Sequence, residues 1–70
     1  MKIKVNGKEQ TFSQNSVSVT ELLELCQVSQ PDMVSVQLNG EFVVRGNFPT
    51  TRVKDADEVD FLYFMGGGKL

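Results

Sequence analysis

The sequence predicts a two-layer α+β fold, in which one main helix packs on one face of a mixed sheet of four to five strands. Short runs of alternating apolar and polar residues occur near both ends of the chain and in its middle, and this alternation is typical of half-buried strands. One segment has helical spacing instead. Two Asn-Gly dipeptides each lie between two such runs and favour tight hairpin turns.

The first hairpin is predicted over the first dozen residues. Ile3 and Val5 alternate with lysines, and Asn6-Gly7 follows at once. Both residues of this dipeptide tolerate positive φ, which a type I′ turn requires. A two-residue turn places Lys4 opposite Glu9, so we expect an opposite-charge pair on the solvent side.

The helix is predicted to begin after the polar break at residues 14–16. Ser18-Val19-Thr20-Glu21 fits the capping box, and Val17 and Leu22 flank it as a hydrophobic staple. An apolar stripe continues at helical spacing through Leu23 and Cys26. We therefore interpret Cys26 as a core residue and not as a nucleophile. Pro31 prevents the helix from continuing.

A second hairpin and a last strand complete the fold. The alternating segment 33–38 is followed by Asn39-Gly40 and by a returning strand at residues 41–44. Residues 45–54 are irregular and are predicted to form a loop, with or without a short turn of helix. Asp55-Ala56-Asp57 forms a turn before the last strand, residues 58–64.

This order of elements predicts the β-grasp topology, with one helix available to cover one sheet. The first and last strands are the most apolar, so we expect them to be neighbours in the centre. The predicted domain covers residues 1–65. Residues 66–70 are predicted to form a flexible, glycine-rich tail.

Composition excludes several classes of function. Nine acidic residues against seven basic ones disfavour nucleic acid as a partner, since phosphate binding needs a concentrated basic face. One cysteine and no histidine provide neither an intrachain disulfide nor a usual zinc site. No apolar stretch approaches the roughly 20 residues that cross a bilayer, and the N-terminal alternation is unlike a signal peptide. We expect a cytoplasmic protein without cofactor or metal.

Little in the sequence resembles a catalytic site, so we do not expect an enzyme. The densest acidic cluster is Asp55, Asp57, Glu58 and Asp60. It is interpreted either as a solvated turn or as a docking surface for a basic partner.

The glycine run at the end of the last strand is different. Gly66, Gly67 and Gly68 have no side chains, so this segment can enter a narrow channel and present an unhindered carboxylate. A frayed end or a cloning linker would explain such a run equally well when it is judged alone.

The order and spacing of these segments resemble the ThiS family of thiamine-thiazole sulfur carriers, which have a ubiquitin-like β-grasp fold. The resemblance covers residues 1–68. The similar segments are Met1-Lys2-Ile3 with Val5-Asn6-Gly7, the helix start at residues 18–23, the hairpin at residues 34–45, the turn at residues 54–59 and the glycine run.

The resemblance implies a mechanism and a set of partners. An E1-like adenylyltransferase would activate the terminal glycine with ATP, a persulfide donor would supply sulfur, and a thiazole synthase would use the resulting thiocarboxylate. ATP would belong to the activating partner, so the chain itself would need no cofactor.

Two positions depart from the family pattern. Ala56 stands where the family usually has glycine, and alanine disfavours positive φ. Lys69 and Leu70 follow the glycines, at which family members generally end. Either these two residues are an artefact of cloning, or a protease removes them before activation.

A partner-binding surface is predicted beside the tail. If Val59 and Phe61 pack under the helix, Leu62 and Phe64 face outward, unless the loop at residues 45–54 covers them. Met65 is included in this predicted surface. Arg45 either pairs with an acidic residue of the partner or is a solvated strand end.

Two alternative functions stay open. A carrier of the same fold could feed molybdopterin, cysteine or homocysteine synthesis. A β-grasp module could also dock proteins or RNA without covalent chemistry, although the acidic balance disfavours RNA.

Overall fold

The computed structural model describes the backbone of residues 1–63 and the side chains of residues 1–62. Within this range the chain forms seven strands, one α-helix and two short 3₁₀ helices. The elements, in chain order, are β1 (Lys2–Val5), β2 (Lys8–Thr11), β3 (Ser16–Ser18), α1 (Val19–Leu25), a first 3₁₀ helix (Pro31–Met33), β4 (Val34–Leu38), β5 (Glu41–Val43), a second 3₁₀ helix (Arg45–Asn47), β6 (Arg52–Lys54) and β7 (Glu58–Tyr63).

Five of these strands form one mixed sheet in the order β2-β1-β7-β4-β5. The first and last strands lie side by side and parallel, with Val5 paired with Val59. All other neighbours in this sheet are antiparallel. The predicted α+β fold and the central pairing of the terminal strands are therefore confirmed. No helix in the described range is long and apolar enough to span a membrane.

A second, two-stranded sheet was missed by the sequence analysis. β3 pairs antiparallel with β6, and Val17 lies opposite Val53 with both side chains buried. The prediction was wrong in placing Ser16 in a polar break and residues 52–54 in a loop. Three-residue strands with so few buried positions have no alternation long enough to recognise. The predicted helical turn within residues 45–54 is present as the second 3₁₀ helix.

The start of α1 is fixed by the predicted capping box. The Ser18 hydroxyl accepts a hydrogen bond from the Glu21 backbone N–H at 3.0 Å, and the Glu21 carboxylate accepts one from the Ser18 N–H at 2.8 Å. These bonds satisfy donors that the first helical turn would leave unpaired. Gln27 ends the helical path because it adopts a left-handed φ of 58°.

The core lies between α1 and the inner face of the sheet. Cys26 and Val28 are partly buried and pack against the margin of this core. The core itself consists of thirteen buried apolar side chains: Ile3, Val5, Val17, Val19, Leu22, Leu23, Val34, Val36, Val43, Phe48, Val53, Val59 and Phe61. The alternation of β1, β4 and β7 therefore places one set of side chains under the helix and leaves the other set on the outer face.

The predicted Lys4–Glu9 ion pair is not formed. The two residues lie opposite each other in the register of β1 and β2, as expected. Between residues 1 and 62, however, the ion pair present is the one between Arg52 and Glu21, at 3.7 Å. Both Lys4 and Glu9 are exposed on the surface. Water solvates each charge there, so pairing the two would contribute little free energy.

The turn before β7 is held by two of the clustered acidic residues. The Asp57 side chain is buried and accepts hydrogen bonds from the Lys54 N–H at 2.9 Å and the Asn39 amide at 3.1 Å. Asp55 accepts from the Lys2 N–H at 2.7 Å. These two carboxylates therefore organise the turn. Between them, Ala56 adopts a φ of 74°.

We predict that Ala56→Gly stabilises the protein. A left-handed φ costs alanine free energy that glycine does not lose, so the free energy of unfolding should rise by about 1 kcal/mol. Chemical denaturation measures this change. Gly40→Ala is the matched control, because Gly40 has a φ of 84° and an added Cβ would meet no atom within 4 Å. Gly40→Ala should lower the free energy of unfolding by a similar amount. A lower free energy of unfolding for Ala56→Gly would contradict the assignment of backbone strain to Ala56.

Candidate functional site

The candidate site is built around β7, the strand that leads into the glycine segment. On one side, the Asp57 and Val59 carbonyls accept hydrogen bonds from the Lys4 and Asn6 N–H groups at 3.1 and 2.9 Å. On the other side, β7 pairs with β4 from Val59 to Tyr63, which lies opposite Val34. The strand that precedes the tail is therefore a central strand of the sheet.

The two Asn-Gly turns also hold β7 by their side chains. The Asn39 side chain accepts a hydrogen bond from the Glu58 N–H at 2.9 Å and donates one to Asp57. The Asn6 side-chain oxygen accepts one from the Phe61 N–H at 2.8 Å. The sequence showed these asparagines only as turn formers with positive φ. Their contacts to β7 require knowledge of the topology, which no local pattern contains.

The outer face of the sheet has an apolar patch at the end where β7 leaves it. Leu62 is 47% exposed and lies opposite Ser35 of β4. On the next strand, Val43 is buried, and its neighbours Phe42 and Val44 are 63% and 57% exposed. Met33, just before β4, is 41% exposed. We call Met33, Phe42, Val44 and Leu62 the outer patch. Exposed apolar groups concentrated in one region are typical of interaction sites.

The predicted surface and the outer patch share Leu62, which the loop at residues 45–54 leaves 47% exposed. Phe64, Met65 and the glycines Gly66, Gly67 and Gly68 lie outside the described residues, so their predicted roles stay predictions. The same holds for the division of the chain at residue 65. Phe42, Val44 and Met33 were missed. A signal for Phe42 and Val44 was available, because both alternate with the inward-facing Val43.

Arg45 is used within the domain. Its guanidinium donates hydrogen bonds to the Pro31 and Val34 carbonyls at 2.8 and 3.0 Å. Its central carbon lies 5.4 Å from the centre of the Phe48 ring, within the range of a cation–π contact. Arg45 thereby ties both 3₁₀ helices to the start of β4. Its predicted contact with a partner stays a prediction.

Cys26 lies at the end of α1 and is half-buried against the core. Burial raises the pKa of its thiol above the ordinary value, because the apolar surroundings solvate the thiolate poorly. This environment agrees with the interpretation of Cys26 as a packing residue. Among the side chains of residues 1–62, no three or more histidine, cysteine or acidic groups lie close enough together to hold a metal ion.

Comparison with protein families and solved structures agrees with the sequence resemblance. A model described as the ThiS family matches residues 3–68. A crystal structure of the thiamine biosynthesis protein ThiS from Geobacter metallireducens has a TM-score of 0.88 and 52% identity, covering 97% of this chain and 100% of that one. An NMR solution structure of a thiamine biosynthesis protein from the same organism has a TM-score of 0.82 and 54% identity, covering 100% of this chain and 91% of that one.

A curated relative is much longer than this chain. A protein named thiazole synthase, from Paramagnetospirillum magneticum (strain ATCC 700264 / AMB-1), is 35% identical over 68 residues. The match covers 97% of this chain but 20% of that protein, so the chain spans about one fifth of that relative's length.

We predict that the Cys26 thiol titrates at higher pH in the folded protein than in the unfolded chain. Because the thiolate is the reactive form, the pH of half-maximal alkylation should increase on folding. Intact mass after timed treatment with iodoacetamide between about pH 7 and pH 10 measures it. The control is the same chain in denaturant. A lower half-maximal pH in the folded state would contradict the assigned environment.

Proposed function

Because the chain belongs to the ThiS family, we propose that it is a sulfur carrier that delivers sulfur, as a C-terminal glycyl thiocarboxylate, to thiazole formation in thiamine biosynthesis. Sulfur carriers of this family are not themselves enzymes. The observation that carries the proposal is the match of residues 3–68 to this family, together with a glycine run that begins three residues after the end of the central strand β7.

The chemistry requires a partner with ATP, because a carboxylate is a poor electrophile. In the proposed reaction, an E1-like adenylyltransferase joins the glycine carboxylate to AMP and releases pyrophosphate. The terminal sulfur of a protein persulfide then attacks the carbonyl carbon, AMP leaves, and an acyl disulfide forms. A thiol reductant cleaves its S–S bond, which leaves the thiocarboxylate on the carrier and an oxidised disulfide. The resulting thiocarboxylate is a nucleophile attached to a folded domain.

The mature end is proposed to be a glycine. The family match ends at Gly68, and Lys69 and Leu70 follow it. While a residue follows Gly68, its carbonyl belongs to an amide and has no carboxylate to activate. If Lys69 and Leu70 belong to the natural chain, and are not an artefact of cloning, a protease would have to remove them before the first step.

The outer patch is the proposed surface for recognition by partners. It lies on the face opposite α1 and at the end of the sheet where β7 leads into the tail. A partner that covers Leu62 and Phe42 is thus also close to the point at which the chain leaves β7. The similarity to part of a protein named thiazole synthase supports a thiazole synthase as the enzyme that receives the sulfur.

We predict that a chain ending at Gly68 gains about 16 Da when incubated with the activating enzyme, ATP and a persulfide donor, because one oxygen is replaced by sulfur. Intact-mass spectrometry measures the gain. The chain that retains Lys69 and Leu70 is the control and should not change. A carrier of another pathway would gain the same mass but would not support thiazole formation. A module that only docks would show no gain.

We predict that Leu62→Arg weakens binding to the activating enzyme at least tenfold, because a charge replaces an apolar contact in the outer patch. Calorimetry or surface plasmon resonance measures the Kd. Thr11→Arg is the matched control, since Thr11 is exposed on β2 at the far edge of the sheet and receives the same charge. Both variants should keep stability within about 0.5 kcal/mol. Equal Kd values for the two variants would exclude the outer patch as the surface that binds the activating enzyme.

A further inference from the structure

β7 extends beyond the strand that pairs with it on one side. β1 ends at Val5, which is paired with Val59, and the chain then turns through Asn6-Gly7 into β2. β7 continues to Tyr63. The last contact on this side is the side chain of Asn6, which accepts a hydrogen bond from the Phe61 N–H at 2.8 Å. Asn6 therefore occupies the place that a further residue of β1 would take.

Successive residues of a strand direct their backbone N–H and C=O groups to opposite sides, which determines where the last groups of β7 point. Asp57, Val59 and Phe61 all direct hydrogen-bonding groups towards β1, so residues 58, 60 and 62 direct theirs towards β4. The next groups on the β1 side are the Phe61 carbonyl and both the N–H and the carbonyl of Tyr63. No hydrogen bond to these three groups is present among residues 1–63. The result is a short open edge on a central strand.

A cavity of about 310 Å³ borders this open edge on the inner side of the sheet. Its lining includes Asn6, Phe61, Cys26, Gln27 and Val28. A strand added beside Phe61 and Tyr63 would occupy the space in line with β1, and alternate side chains of that strand would point towards this cavity. The edge and the cavity are two independent features that fit one kind of ligand, an extended polypeptide.

We propose that the activating enzyme adds an extended segment of its own chain to this edge of β7, next to Phe61 and Tyr63. This inference rests on the proposed function, because an enzyme that modifies the Gly68 carboxylate must approach the end of β7. Residues 64–68 span at most about 18 Å when fully extended. The enzyme surface around its active site therefore lies within that distance of the open edge.

Strand addition would explain how the tail is aligned. Main-chain hydrogen bonds to the Phe61 carbonyl and to Tyr63 would fix the direction of the chain as it leaves the sheet. The outer patch would supply affinity from the outer face, while the added strand would set the register of the residues that follow. The two contacts are separable, because one uses side chains and the other uses the backbone.

Backbone N-methylation at Tyr63 tests the proposal, because it removes the N–H group and keeps the side chain. The chain ending at Gly68 can be assembled by chemical ligation at Cys26, the single cysteine. The matched control is N-methylation at Glu9. Val5 and Lys8 flank the two-residue turn as a hydrogen-bonded pair, so the Glu9 N–H on edge strand β2 points away from β1. We expect N-methylation at Tyr63 to weaken binding to the activating enzyme about tenfold, and N-methylation at Glu9 to leave it unchanged.

Amide exchange in the unmodified protein provides a second readout, which does not depend on the folding of the methylated chain. The Tyr63 amide should exchange at least tenfold more slowly in the complex than in the free protein. Unchanged exchange and equal affinities would overturn the inference. So would protection of Tyr63 in the free protein that increases with its concentration, which would identify a second copy as the added strand. In these cases a gain of about 16 Da by the unmodified chain would leave the proposed function standing, whereas absence of the gain would refute that function separately.

Discussion

The constraint on which the rest of the structure depends is the central position of β7. As far as the Phe61 N–H, β7 has hydrogen-bond partners on both sides, and these partners hold it in one register. The register here is fixed by β1, by β4 and by the side chains of Asn6 and Asn39. The segment that follows Tyr63 therefore starts from a defined point, and a partner that recognises the domain also locates the tail.

The arrangement of layers gives the sheet an inner face that the helix covers and an outer face that is open within the described residues. α1 and the core residues cover the inner face of the sheet, and the capping box and the Val17–Val53 pair fix the helix there. The outer face has no covering layer within the described residues, and its exposed apolar side chains gather near the end of β7. Stability depends on the first face, so substitutions on the second can alter binding without unfolding the domain.

Local signals in the sequence predicted the parts of the fold that have local causes. Asn6-Gly7 and Asn39-Gly40 determined both hairpins, since positive φ is needed at both turn positions, and Ser18 with Glu21 marked the helix start. The strand pair β3–β6 was not predictable in this way, because three residues are too few to show a period. The outward orientation of Leu62 was predicted from the alternation of residues along β7, and Leu62 is 47% exposed. Phe42 and Val44 could have been recognised in the same way. The contacts of Asn6, Asn39 and Arg45 join residues distant in sequence and follow only from the tertiary arrangement.

The central claim, that this domain carries sulfur on a terminal glycine, is tested most directly by the intact mass of the protein purified from its own cells. The account predicts a population of chains that end at a glycine of the run 66–68, part of it about 16 Da heavier than the carboxylate form. Treatment with an alkylating reagent should modify that heavier fraction, because a thiocarboxylate is nucleophilic. Cys26→Ser protein expressed in the same cells removes the competing thiol. A protein found only with residues retained after Gly68 would contradict the account.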